Sequence, residues 1–228
     1  MSKAAPLVTN NDRWNTVRRE KTIARHTDRP DMKSRVGIIG KGNVGNILKD
    51  GLERAGYQVR AVGNEPRAVV ETAKWAELII LAVPFKALDD AVKEMGDSVN
   101  GKPLVDVTNL YSPEMLAAVG SKSGAEVLQE KAGKAKVVKA FNTHFAKNMS
   151  RGRIGDEQLT FFVAGDDKDA KAKTLELGKD LGFDPVDAGP LSNAKLLESL
   201  GNLNIQLGYA LGLGADIGFK LVRAQTPP

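Results

Sequence analysis

The sequence predicts an α/β fold, a doubly wound and mostly parallel sheet with a small helical unit at its C-terminal end. Three observations carry that expectation. Arg35-Val36-Gly37-Ile38-Ile39 is a short apolar run rich in β-branched residues, as a buried parallel strand is. Gly40-Lys41-Gly42-Asn43-Val44-Gly45 follows at once and fits G-x-G-x-x-G. Val44, Ile47, Leu48, Leu52 and Ala55 then recur at the intervals of one helix face, and Tyr57–Val62 supplies a second strand. A strand, a glycine loop, a helix and a further strand form the Rossmann-type βαβ unit.

The glycines have separate tasks. Gly40 permits a turn too tight for a Cβ, Gly42 lets backbone approach a pyrophosphate, and Gly45 lets the helix pack on the strand. The helix N-terminus then faces the phosphates with free N–H groups. The alternative is a tight β–α turn that binds nothing.

Composition narrows the class. The 228-residue chain is 42% hydrophobic and 27% charged, ordinary for a globular protein, and aromatics are only 5%. No apolar run approaches the roughly 20 residues of a membrane span, and no secretory segment opens the chain, so a cytoplasmic protein is expected. Without cysteine, disulfides and thiolate metal sites are excluded. His26 and His144 are too few for a His-rich zinc site, so no metal is expected. The net charge is +5, and residues 1–34 hold eight basic against four acidic side chains. Only Trp14 interrupts that polar segment with an aromatic, so specific nucleic-acid binding is not expected. Residues 1–33 read as a basic, disordered arm with a short helix near Trp14–Ala24; a start assigned ahead of Met32 and a genuine targeting or docking segment are the two explanations of it.

The chain in order then gives the site. After the second strand, the neutral Asn64 with Arg67 nearby suits the 2′-phosphate of NADP, whereas Glu65 suits the ribose hydroxyl of NAD. The reading takes NADP, with NAD as the alternative. Residues 68–76 are a short helix, and 77–84 a buried strand that Pro84 ends. Ala82, Val83 and Pro84 therefore border the cofactor, or Pro84 merely breaks the strand. A helix over 88–95, a strand over 102–109, helix over 113–132 and a strand over 137–144 follow. Asn109 and Asn142 stand at strand exits, as cofactor contacts or as satisfied turn residues. His144 is the one imidazole placed for acid–base work or substrate contact; a structural role is the alternative. Residues 159–165 form a strand, 167–181 a helix and 183–188 a strand. Ser192 or Asn193 caps a wide apolar helix through Leu196, Leu197, Leu200, Leu203, Leu207 and Leu211, expected to be well buried. Residues 217–222 close the chain as a strand or a packed extended segment.

The glycine loop, Ala82-Val83-Pro84, Asp106-Val107-Thr108-Asn109, Val138-Lys139-Ala140-Phe141-Asn142-Thr143, Val163-Ala164-Gly165-Asp166-Asp167 and Asp187-Ala188-Gly189-Pro190-Leu191 occur together. This set resembles the NADP-dependent coenzyme F420 oxidoreductases over residues 35–223. It is also similar to the cytosolic domain of the six-transmembrane metalloreductases. The resemblance implies hydride transfer between a nicotinamide and a deazaflavin (F420) or flavin-like acceptor. It implies a Rossmann domain over 34–188 and a small unit over 189–228 completing the acceptor site. Residues 40–45 would hold the pyrophosphate and Asn64 the adenosine end. Ala140, Asn142, Thr143, His144, Gly189, Pro190 and Leu191 would border the nicotinamide and acceptor. Where the family usually offers a Ser-Arg pair, this chain has Asn64-Glu65, and Lys41 inside the loop is unusual. No protein nucleophile is expected, because hydride exchange between stacked rings needs orientation and exclusion of water. A small-molecule acceptor and a homodimer are the expected partners. A non-catalytic nucleotide sensor and an imine or carbonyl reductase completed across a dimer are the alternatives.

Overall fold

A computed structural model describes residues 33–119 and 121–224. The expected arm and its short helix lie outside the described residues, except Lys33, which opens the first strand.

Five strands run parallel: β1 (Lys33–Ile39), β2 (Tyr57–Val62), β3 (Leu78–Leu81), β4 (Pro103–Asp106) and β5 (Lys136–Lys139). β8 (Thr160–Gly165) pairs antiparallel with β5, and β9 (Asp184–Asp187) runs parallel to β8. The sheet order is β2-β1-β3-β4-β5-β8-β9. The chain reverses its direction of winding at β1/β3, the switch point beyond whose carboxyl ends open sheets bind ligands.

Alternate residues of these strands feed two cores, one per sheet face. Ile38, Ile80, Val105 and Val138 belong to one; their neighbours Ile39, Ile79, Leu104 and Val137 belong to the other. Strands buried on both faces read as continuous apolar runs, which is why periodicity found them. The helices α1 (Asn43–Arg54), α2 (Pro66–Trp75) and α3 (Leu88–Met95) cover the parallel half. α7 (Lys168–Asp180) begins at Asp167, whose carboxylate accepts the Ala170 N–H at 2.9 Å.

Four sequence expectations need correction. The helix expected over 113–132 is two, α4 (Pro113–Val119) and α5 (Gly124–Lys131). Ser123 starts the second with a capping box: its hydroxyl accepts the Glu126 N–H, and its own N–H donates to the Glu126 carboxylate. A short helix, α6 (Ala146–Met149), and a hairpin of β6 (Arg153–Ile154) with β7 (Glu157–Gln158) occupy a stretch for which no element was expected. The last helix, α8 (Ala194–Ile205), is not wholly buried, since Leu196 is 66% and Leu203 50% exposed. It passes into a π-helical turn over Gln206–Ala210. Asn193 stands at its N-cap, yet its amide donates to the Ala188 carbonyl instead of capping the helix. The extended segment after it packs on β8 without joining the sheet, with the Thr160 N–H donating to the Phe219 carbonyl.

Candidate functional site

The site begins where β1 ends. Gly40 has φ +118°, and a Cβ there would lie 2.2 Å from the Ala82 carbonyl oxygen. The backbones leaving β1 and β3 are therefore in contact, and only glycine fits between them. A Cβ on Gly45 would meet the Gly40 carbonyl at 1.9 Å, so the first turn of α1 lies directly on the loop. Gly42 differs: a Cβ there would meet nothing within 4 Å. Two glycines are filled against protein, and the third faces open space at the N-terminus of α1. An open backbone position at a helix N-terminus is compatible with the close approach of a phosphate.

A cavity of about 380 Å³ opens in front of this loop. Of the expected cofactor residues, Gly40, Lys41, Gly42, Asn64, Ala82, Val83 and Pro84 line it. Asn43, Val44 and Gly45 stand behind the loop in the first turn of α1. Residues the sequence reading missed also line it: Ile39, Gly63, Ala87, Asp90, Ala91 and Glu94. The last four recur at three- and four-residue steps around α3, the first helix after the β3 exit, and that spacing was the available signal. Arg67 is not among the lining residues. Its guanidinium pairs with Glu71 at 2.9 Å one helical turn on and is 92% exposed.

The β4 and β5 exits form a second cluster. Asn142 Nδ2 donates to Asn109 Oδ1 at 2.9 Å and to the Leu197 carbonyl at 2.8 Å. Asn109 Nδ2 donates back to the Asn142 carbonyl at 2.7 Å. Phe141, with φ +65°, makes the turn between Ala140 and this pair. Ala140, Asn142 and Thr143 are buried, and none lines the cavity. Gly189 turns with φ +91° and its N–H donates to Asp187, Pro190 is exposed, and Leu191 is buried with its N–H on Asp166.

His144 is only 6% exposed and lies against Phe183, ring centroids 4.6 Å apart. Neither ring nitrogen makes a hydrogen bond of ordinary geometry. Burial pushes its pKa down to about 4, with the Thr160 backbone opposing weakly, so the ring is neutral at pH 7. That state does not suit the proton-donor role considered from sequence.

Beneath the exits lies a buried charge cluster. Lys139 Nζ donates to Asp106 Oδ2 at 2.8 Å, to Glu198 Oε1 at 2.9 Å and to the Thr108 carbonyl, with no side-chain exposure at Lys139 or Asp106. Burial alone would lower the Lys139 pKa, but the two facing carboxylates outweigh it and hold it above its ordinary value. Glu198 also accepts the Gly124 N–H at 3.0 Å, at the start of α5. The cluster thus ties β4, β5, α5 and α8 together under the carboxyl edge of the sheet.

Known proteins are similar to this chain. Residues 62–110 match the family described as "NADP oxidoreductase coenzyme F420-dependent". A crystal structure from Arthrobacter sp. FB24, of a protein assigned provisionally as an F420-dependent NADP reductase, superposes with a TM-score of 0.74 at 30% identity. It covers 84% of this chain, and the whole of that chain is matched. The chain belongs to the coenzyme F420-dependent NADP oxidoreductase family. The rat Metalloreductase STEAP3 is 30% identical over 75% of this chain, which spans 37% of that protein's length. The F420-dependent NADP reductase of Methanocaldococcus jannaschii is 24% identical, covering 70% of this chain and 73% of its own. The family match over residues 62–110 spans the β2 and β3 exits that border the crevice. No helix among the described residues is long and apolar enough to cross a membrane.

Proposed function

We propose that the chain binds a nicotinamide dinucleotide along the β1/β3 crevice and exchanges a hydride with a deazaflavin (F420) or flavin-like acceptor. The observation that supports this most is the contrast among the three glycines: Gly40 and Gly45 are closed against backbone, and Gly42 opens onto the cavity. When bound, the dinucleotide supplies the hydride chemistry. The chain's own residues bind, orient and exclude water. In this proposal the loop amides from 40 to 45 and Lys41 hold the pyrophosphate, and Ala82, Val83 and Pro84 form the wall beside the adenosine half. Asn109 and Asn142, cross-linked to each other and to α8, shape the nicotinamide end. Thr143 and His144 face inward, so we give them the role of supporting that wall.

Residues 34–188 form the dinucleotide-binding part in this reading, and 189–228 complete the acceptor site. The homodimer expected from sequence has a candidate surface in Leu196, Leu203, Tyr209, Leu211 and Leu213, each at least half exposed. The direct test is to mix the reduced dinucleotide, as NADH and as NADPH, with F420, FMN and riboflavin and follow oxidation by absorbance. Turnover with one ring acceptor is expected; no exchange with any of them overturns the reading.

A further inference from the structure

We propose that this chain selects NAD(H) over NADP(H), and that Glu65 is the selecting residue. The inference rests on the dinucleotide reading above. The two dinucleotides differ only at the adenosine 2′-position, a hydroxyl in one and a phosphate of roughly −1.5 to −2 charges in the other. Discrimination therefore lies in the groups that meet that position, beyond the end of β2.

Those groups are unusually acidic. A Cβ built on Gly63 would lie 3.0 Å from Glu65 Oε2 and 3.3 Å from Oε1. The carboxylate is thus folded back over the backbone of Gly63, and Gly63 and Asn64 line the cavity. Glu65 itself is not among the lining residues but stands next to Asn64, which is; Asp90 and Glu94 supply the carboxylates of the lining from α3, against the single ammonium of Lys41. Lys41 belongs to the glycine loop, where the pyrophosphate common to both dinucleotides would engage it. Arg67, the arginine that might have balanced a 2′-phosphate, does not line the cavity and is paired with Glu71 at 2.9 Å one helical turn on. A carboxylate accepts a hydrogen bond from a ribose hydroxyl and repels a phosphate. Asn64, able to donate and accept, suits the hydroxyl as well.

The competing assignment for Glu65 is a helix cap. It stands at the N-cap of α2, but its side chain accepts no N–H from that helix. The residue is solvent-exposed, so replacing it leaves the core untouched.

The test is calorimetric titration of the full chain with NADH and with NADPH, for the parent, Glu65→Gln and Glu65→Arg, each checked by circular dichroism melting. The parent is expected to bind NADH at least about tenfold more tightly, a difference of about 1.4 kcal/mol. Glu65→Gln should narrow the ratio, and Glu65→Arg should invert it chiefly by tightening NADPH. A parent that binds NADPH as well as NADH, or a ratio that both variants leave unchanged, overturns the assignment of Glu65. Failure of the parent to bind either dinucleotide at millimolar concentration overturns the underlying reading of the crevice, and the inference with it.

Discussion

Gly42 and Gly45 are the same residue type, three positions apart, with opposite physical constraints. At Gly45 a methyl group would meet a carbonyl oxygen at 1.9 Å. Gly45→Ala should therefore displace α1 from β1 and destabilise the chain by about 2 kcal/mol or more, read as a lower urea midpoint. At Gly42 φ is −77°, a value any residue adopts, and no atom stands in the way. Gly42→Ala should change stability by less than about 1 kcal/mol. It should nevertheless weaken dinucleotide binding about tenfold or more in the same calorimetric titration, because the methyl group would occupy the space meant for phosphate. Equal stability loss in both variants would contradict the division drawn between them. His144 offers a second test at this scale. Its pKa is about 4 in the folded chain against an ordinary 6.5. The unfolded chain takes up the proton first as pH falls, so the stability tied to the neutral ring is complete above about pH 6.5 and is lost on the way down to about 4. The full loss is about 3 kcal/mol, some 2 of it by pH 5. His144→Phe keeps the aromatic packing with Phe161 and Phe183 and removes the titration. Urea unfolding at pH 7 and pH 5 should show a smaller drop in the variant by about 2 kcal/mol, and an identical drop would place the titration elsewhere.

Among the elements, α8 has the least conventional attachment. Its outer face leaves Leu196 and Leu203 exposed, so apolar burial alone does not explain its position. Polar contacts do much of the fixing: Glu198 to Lys139, the Leu197 carbonyl to Asn142, and Asn202 Nδ2 to the Leu110 carbonyl at 2.7 Å. Lys139→Met tests this. It removes the cation between two buried carboxylates, and breaking such a set from one side costs about 3–5 kcal/mol. Urea unfolding at pH 7 reads the loss as a lower midpoint, and an unchanged midpoint would contradict it. Gly201 adds a steric condition, since a Cβ there would lie 2.6 Å from the Asn142 carbonyl oxygen. The helix and the β5 exit are therefore in backbone contact, and a change in one moves the other.

At the scale of the whole molecule, the two halves of the site were legible to different degrees, for a physical reason. The glycine loop, the β2 turn and Ala82-Val83-Pro84 lie at consecutive strand exits, and local periodicity is enough to put them in one crevice. The orientation of Arg67, the fold-back of Glu65 and the Lys139–Asp106–Glu198 cluster depend on rotamers and on contacts between segments 33 or more residues apart. No pattern in a single stretch reports these. Lys139 in particular reads as an ordinary polar residue ending an apolar strand, and only the tertiary fold supplies its partners. The same separation predicts that the two ends of the site act independently. The crevice proposed for the dinucleotide is built from loops after β1, β2 and β3 with α3, and none of its lining residues comes from beyond Glu94. The exits of β4 and β5, the 189–191 turn and α8 lie later in the chain and hold one another. Pro190 is the exposed residue of that turn, fixed from both sides by the Asp187 and Asp166 hydrogen bonds, so replacing it leaves the turn intact. Pro190→Glu should therefore raise the acceptor KM several-fold, by electrostatic and steric conflict with a planar anionic ring system, while leaving the dinucleotide Kd within about twofold. Steady-state kinetics with varied acceptor, beside calorimetry with the dinucleotide alone, separates the two. A parallel loss of both constants would mean that the crevice and the turn are one coupled surface, and the division of labour proposed for residues 34–188 and 189–228 would fall.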